Sequence, residues 1–426
     1  MKRVRLLVFN SALGVLDYRL PDTMAIEFGS VVTAPLGPRQ ITGVVWEPDR
    51  LAATEVPDSK LRPLIEVLPV RPLAPPLRRL IEWTADYYCA PMSAVARMAL
   101  GSSAALKGSG TMTEYRLSGE EPARLTPQRA AAMDALHGEQ ASIRELSEMA
   151  GVSEGVLRGM VGAGLIEPVL VDIDRPYPRA RPDFAVPELS QAQQEAANAF
   201  VTATRDGGFR PFLLDGVTGS GKTECYFEAI ATGIEHGRQT LVLLPEIALT
   251  QNFLRRFEQR FGVPPVLWHS SLKTTERRRA WRAISSGEAQ VVVGARSALF
   301  LPYARLGLIV VDEAHEVSFK QDDGVRYNAR DVAVIRARFE SAPVILASAT
   351  PALESMQLAE AGVYERIELP DRFGGAKMPD IQLIDLREEV PPRGHWLAPR
   401  LVEEMKLRLE RGEQSLLFLN RRGYAP

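Results

Sequence analysis

At 426 residues, with 46% hydrophobic and 24% charged content, the chain is long enough for several domains with separate cores, which excludes disorder as its default state. Its formal net charge of -2 gives no overall signal for a nucleic-acid partner, although residues 1–110 hold 13 Lys and Arg against 10 Asp and Glu. The two cysteines, Cys89 and Cys225, exclude a disulfide framework and match no zinc spacing, which points to a reducing cytoplasm.

Lys2, Arg3 and Arg5 ahead of an apolar patch mimic a secretory signal, but Asn10 and Ser11 interrupt that patch and Asp17, Tyr18 and Arg19 follow it. No apolar run approaches the ~20 residues that a membrane-spanning helix needs. Residues 1–105 then alternate β-branched runs with turns: "SVVTAPLG", "QITGVVWE" and "LIEVLPV" read as strands of a small barrel or sandwich, with a helix at "PLRRLIEWTADYYC" after them. Residues 101–113 have the small, glycine-rich composition of a linker.

Within residues 114–173, Ile143, Leu146 and Met149 recur at helical spacing before Gly151, and Val156, Leu157, Met160 and Val161 do so after it. Two short helices with the strand "GLIEPVLVDID" fit a winged helix and fit a plain helical hairpin equally well. A proline- and arginine-rich connection at 174–189 follows. Beyond it, "PFLLDGV", "QTLVLLP", "PPVLWH", "AQVVVGA", "LGLIVVDE" and "APVILASAT" are continuous apolar runs separated by helical stretches, the pattern of a parallel sheet covered on both faces.

Three short motifs sit on those predicted strands. "GVTGSGKT", Gly216, Val217, Thr218, Gly219, Ser220, Gly221, Lys222 and Thr223, matches the phosphate loop between a strand and a helix. Its glycines let backbone N–H groups surround phosphates, Lys222 can reach the β and γ phosphates, and the Thr223 hydroxyl can hold Mg²⁺. "DEAH" places Asp312 and Glu313 at a strand end, Asp312 for the metal and Glu313 for activating water, with His315 completing a helicase signature. "SAT", Ser348 to Thr350, ends the next strand.

With these in place, the sequence resembles along nearly its whole length the PriA family of bacterial replication-restart helicases, also called primosomal protein N′. The stretches "GVTGSGKTECYFEAI", "VLLPEIALT", "WHSSLKTTERRRAWRAISSGEAQVVVGARSALFLP", "SFKQDDGVRYNARDVAV", "ASATPALES" and "LLFLNRRGYAP" carry the likeness. The resemblance implies a multidomain chain: a small N-terminal β domain over 1–105 that grips the 3′ end of a nascent strand, a winged helix over 114–173, a RecA-like α/β parallel-sheet P-loop helicase lobe over 187–370, and the start of an incomplete second lobe over 371–426. In that second lobe the sequence predicts strands at "IQLIDL" and "SLLFL" around a helix at "PRLVEEMKLRLERG", with Arg421 and Arg422 near its end.

Residue by residue, the resemblance implies that Leu16, Asp17, Tyr18 and Gly37 shape a pocket for the terminal nucleotide, with Arg62 where the family has lysine. It places Gln193 at adenine and implies an aromatic-rich loop that senses single-stranded DNA, in which Phe319 and Tyr327 can stack on bases or wedge between lobes while Lys320, Arg326 and Arg330 can meet phosphates or acidic partners. It departs from the family pattern at Ala314, Glu316 and Asn328. The implied activity is that of an ATP-dependent 3′ to 5′ DNA helicase that recognises stalled or abandoned forks and initiates primosome assembly. Its implied cofactors are ATP and Mg²⁺, with zinc expected only in longer members. The implied partners are forked DNA with a nascent 3′ end, single-stranded DNA, single-stranded-DNA-binding protein and other primosome proteins, with no membrane and a nucleoid-associated location. The alternatives are a fork-binding module without ATP turnover and a RecG-like branched-DNA translocase.

Overall fold

The computed structural model describes residues 2–9, 14–47, 56–100, 103–106, 111–120, 122, 125–136, 140–172, 175–245, 251–372 and 380–418. Backbone contacts divide the chain into two units, Met1–Phe373 and Gly374–Pro426.

The first unit begins with five antiparallel strands, β1 (Lys2–Val8), β2 (Val15–Leu20), β3 (Val31–Leu36), β4 (Arg39–Val45) and the two-residue β5 (Glu66–Val67), in the order β2-β1-β4-β3-β5. The sheet closes on itself, because Arg19 N donates to Arg62 O at 2.9 Å and Leu64 N donates to Arg19 O at 3.1 Å. Strand alternation sorts the side chains: Val4, Leu6 and Val8 fill the inside with Tyr18 and Leu64, while Leu7, Val31 and Val44 face outward to a second core.

That second core joins the barrel to the rest of the unit. Helices α1 (Pro75–Tyr87), α2 (Met92–Leu100) and α3 (Ser103–Leu106) contribute Leu77, Leu80, Ile81, Val95 and Leu106 to a cluster that also holds Trp281, Phe300 and Tyr327. The N-terminal helices thus pack as an outer layer of the parallel-sheet domain. Trp281 Nε1 donates to Ala99 O at 2.9 Å inside this layer.

Next, β6 (Thr111–Leu117), α4 (Pro127–Ala135), α5 (Ile143–Ala150), α6 (Glu154–Gly162) and β7 (Ile166–Asp172) form the winged-helix arrangement, with β6 and β7 antiparallel along their whole length. A capping box between Ser142 and Glu145 starts α5, and Gly151 at φ 63° ends it, so the turn needs a residue without a Cβ penalty. Leu146, Leu157, Met160 and Ile166 share a small core.

The remaining elements of the first unit are α7 (Gln191–Asp206), β8 (Pro211–Gly216), α8 (Lys222–Glu235), β9 (Gln239–Leu243), α9 (Gln251–Phe261), β10 (Val266–Trp268), α10 (Thr274–Ser286), β11 (Val291–Gly294), β12 (Leu306–Val311), α11 (Ala329–Glu340), β13 (Val344–Ser348), α12 (Leu353–Glu360) and β14 (Glu365–Leu369). Seven parallel strands run β10-β11-β9-β12-β13-β8-β14. Their continuous apolar runs split by pleat: Leu214, Val242, Val293, Val310 and Ile345 face one helix layer, and Leu213, Leu241, Val292, Ile309 and Leu346 face the other. Because β12, β13 and β8 are neighbours, the loops leaving their C-terminal ends meet, as ligand-binding loops of open parallel sheets do.

The second unit holds α13 (Pro399–Glu410), as the sequence predicts. The predicted strands at 381–386 and 415–419 are corrected: residues 381–386 and 415–418 form none, and Ile381, Leu383, Leu416 and Phe418 are 76%, 91%, 95% and 85% exposed. A strand needs a neighbour for its N–H and C=O groups, and no strand pairs with either segment among the described residues. Arg421 and Arg422 lie outside the described residues. No described helix is long and apolar enough to cross a membrane.

Candidate nucleotide and DNA sites

The loop from Gly216 leads to Gly221, the N-cap of α8, and its residues from Thr218 onward line a cleft of about 680 Å³. Thr218, Gly219, Ser220, Gly221, Lys222, Thr223, Asp312, Glu313 and Gln193 all reach it. Gly221 is glycine for two reasons: its φ is +84°, and a Cβ there would stand 2.2 Å from Gln193 Nε2. Lys222 Nζ donates to Gly216 O at 2.7 Å, so the ammonium is held at the mouth of the loop by a backbone carbonyl. Ser220 Oγ is buried with no hydrogen-bond partner among the described residues. A glycine-rich loop, a lysine, a threonine and an unspent hydroxyl around one cleft fit a nucleoside polyphosphate.

Asp312 enters from the end of β12. Its Oδ2 accepts from Tyr226 Oη at 2.8 Å and its Oδ1 accepts from Glu313 N at 3.0 Å. Burial raises the Asp312 pKa above the ordinary carboxylate range, the Tyr226 bond and the nearby Lys222 work against that rise, and the charge on Glu313 adds to it. Glu313 adopts φ +49°, a left-handed conformation uncommon for a residue with a Cβ and of the kind that collects at functional sites. His315 Nδ1 lies 2.9 Å from Ser348 Oγ, which also accepts from Thr350 N at 3.1 Å. The predicted "DEAH" and "SAT" motifs are therefore physically linked.

Among the described residues no group of three or more His, Cys, Asp and Glu side chains gathers to hold a metal unaided. Thr223 and Asp312 both line the cleft, where they would be the groups to share a divalent ion with a ligand's phosphates.

Gln193 lines the cleft with its amide already bonded on both sides. Its Nε2 donates to Ser220 O at 2.8 Å and its Oε1 accepts from Ser190 N at 2.9 Å in a capping box, so it ties α7 to the phosphate loop while lining the cleft. Val217 lies at the loop's outer edge, 38% exposed. Sequence reasoning missed Tyr226, Glu224 and Arg256. Tyr226 stands three residues after Thr223, one helical turn away, and that spacing was the available signal.

The second predicted group comes together only in part. Tyr18 Oη donates to Pro35 O at 3.0 Å, and an Arg62 guanidinium N–H donates to Gly37 O at 3.2 Å, with Gly37 at φ +58°. Leu16 is half-buried in the barrel wall beside them. Arg62 is exposed, but the Asp17 carboxylate is not: its side chain is 1% exposed beneath Arg3 at 3.6 Å and Arg5 at 3.3 Å. Of the aromatic-rich loop, Lys320 and Arg326 are exposed and Arg330 pairs with Asp331 at 3.2 Å. Of the two roles open to Phe319 and Tyr327, base stacking is not available to the rings as they stand: they are 2% and 1% exposed, and Tyr327 packs edge-on against Phe300.

These features define a class, a DEAD/DEAH-type helicase lobe preceded by a DNA-end-binding domain. Residues 190–359 match the family described as DEAD/DEAH box helicase, and residues 5–101 match the family described as 3'DNA-binding domain (3'BD). The whole chain is 34% identical to the replication restart protein PriA of Rickettsia felis and 33% identical to that of Haemophilus influenzae, covering 55% and 59% of those proteins. The PriA of Bacillus subtilis is 40% identical over 66% of this chain and 35% of its own length. The chain belongs to the PriA family, and it spans little more than half the length of the curated relatives it matches end to end. Similar solved structures include RecG bound to a three-way DNA junction, 22% identical with TM-score 0.37 over 53% of this chain and 28% of that one. A DEAD box protein from Methanococcus jannaschii is 18% identical with TM-score 0.30 over 42% and 49%.

Proposed function

We propose that this chain is the fork-binding and ATP-binding portion of a replication-restart helicase that moves 3′ to 5′ on DNA. The observation that carries this reading is the convergence of Lys222, Thr223, Asp312 and Glu313 at neighbouring strand ends, in a chain whose barrel gathers Tyr18, Gly37 and Arg62 at one place. In it, Lys222 exchanges the Gly216 carbonyl for a phosphate oxygen, and Glu313 orients and deprotonates the attacking water. Mg²⁺, when bound, supplies neutralisation of phosphate charge. His315 and Ser348 relay the state of this cleft to the end of the neighbouring strand β13.

On the DNA side, Arg62 and Gly37 form the rim for a nascent 3′ end, and Lys320 and Arg326 offer charge to the phosphates of single-stranded DNA. Single-stranded-DNA-binding protein and other primosome proteins are the partners such a restart function requires. Unwinding needs a second RecA-like lobe across the cleft. The test is Lys222→Ala in a chain carrying both lobes: ATP hydrolysis falls to background while fork affinity stays within about twofold of the parent. Equal loss of both would reject the division of labour.

A further inference from the structure

Arg256 lies on α9, outside every motif named above, yet it lines the same cleft. Pro187, Glu188 and Gln193 line that cleft as well. Its guanidinium is ion-paired with Glu224 in the first turn of α8. Glu224 and Gln193 converge on one point of the phosphate loop: a Cβ on Gly221 would stand 2.2 Å from Gln193 Nε2 and 3.5 Å from Glu224 Oε2. A continuous wall therefore runs from Gln193 past Gly221 and Glu224 to Arg256. A phosphate chain cradled between Lys222 and Asp312 leaves its nucleoside with one apolar neighbour, Pro187, and one planar cation, Arg256.

Resting on the nucleotide-site reading above, we propose that Arg256, held by Glu224, is the base-facing cation of the cleft and makes the site select a purine nucleotide over bare polyphosphate and over pyrimidine nucleotides. An arginine is suited to this in a way that lysine is not, because its delocalised plane stacks on an aromatic face while its edge keeps the carboxylate bond. The larger purine face gains more from such stacking than a pyrimidine does. Glu224 neutralises the guanidinium, which keeps the phosphates seated on Lys222. At 37% and 31% side-chain exposure the pair is open enough to be substituted without emptying the core.

The test measures the affinity of the 426-residue chain, with Mg²⁺, for ADP, CDP and tripolyphosphate. In Arg256→Ala the ADP affinity falls about tenfold, the preference for ADP over CDP shrinks, and tripolyphosphate affinity stays within about twofold. Arg256→Lys, which keeps the charge without the plane, behaves like Arg256→Ala. Equal losses for ADP and tripolyphosphate would assign Arg256 to the phosphates, and unchanged ADP affinity would leave the pair purely structural; either overturns the proposal. If the unsubstituted chain binds neither ADP nor tripolyphosphate, the nucleotide-site reading itself fails and this one with it. If it binds both and only the Arg256 variants are silent, that reading stands and this one alone falls.

Discussion

Replacing Tyr226 with phenylalanine removes a hydroxyl that meets both Asp312 and Thr223, and the effect of the bond to Asp312 can be worked out. Tyr226 Oη donates to Asp312 Oδ2 at 2.8 Å in a fully buried pair. A hydrogen bond to a carboxylate contributes about 1.5–3 kcal/mol, and one to a neutral acid about 0.5–1.5 kcal/mol, so its loss disfavours ionised Asp312 by about 1–1.5 kcal/mol. At 1.36 kcal/mol per unit this raises the Asp312 pKa by about one unit further. Asp312 already sits above the ordinary carboxylate range because of burial. Its contribution to stability is therefore fully present below the unfolded pKa and is lost as pH rises through the folded one, and Tyr226→Phe moves that loss upward. Mg²⁺ sharing requires the carboxylate, so the acid limb of Mg²⁺-dependent ADP binding should move to higher pH by about one unit in the variant. Titrating ADP affinity across mildly acidic to neutral pH, with and without Mg²⁺, provides the measurement. An unmoved limb, or an equal shift without Mg²⁺, would refute the assignment of Asp312 to the metal.

Trp281→Phe removes the indole donor to Ala99 O and leaves a buried carbonyl unpaired, at a cost of about 1–3 kcal/mol; amide hydrogen exchange should quicken in Met92–Leu100 before it does in the central strands, and uniform quickening would contradict the docking of α2 on α10. Asp17→Ala opens the ion pairs to Arg3 and Arg5 and should destabilise the barrel by about 1–3 kcal/mol, less than a fully buried pair because both arginines keep contact with water. In that variant, binding to forks with a free nascent 3′ end should fall along with the melting temperature; selective loss of end binding at unchanged stability would show that the carboxylate acts on DNA instead.

The central strands were legible because each is a continuous apolar run bounded by turn residues, and burial on both faces dictates that pattern. β14 was not: in "ERIEL" only Ile367 and Leu369 point to the sheet's apolar layer, since an edge strand is covered less than a central one. The failed strands in the second unit show the converse limit. "IQLIDL" has strand composition, but composition cannot supply the neighbour that satisfies its backbone. The phosphate loop and "DEAH" were legible because their chemistry fixes residue type at fixed spacing. Tyr226, Glu224 and Arg256 were not, because each acts through a partner distant in sequence or lacks a motif of its own: Asp312 lies 86 positions from Tyr226, and Arg256 lies 32 from Glu224.

For the aromatic-rich loop, residue type alone does not tell a base-stacking ring from a packed one. Aromatic rings beside arginines suggest base stacking, but a ring that is 1–2% exposed can meet a base only by leaving the core. The loop around Phe319 and Tyr327 is also held by its backbone: an Arg296 guanidinium N–H donates to Ser318 O at 3.0 Å and Lys320 O at 2.7 Å, and Tyr88 Oη accepts from Asn328 N at 3.2 Å. Tyr88 follows α1, so the N-terminal helical layer grips the same segment that leaves the "DEAH" turn. Burying one aromatic side chain stabilises by about 1.5–3 kcal/mol, so releasing two rings would cost more than a single phosphate contact returns. Lys320 and Arg326, already exposed, can meet a DNA backbone without that cost, and charge contact therefore precedes any rearrangement of the rings.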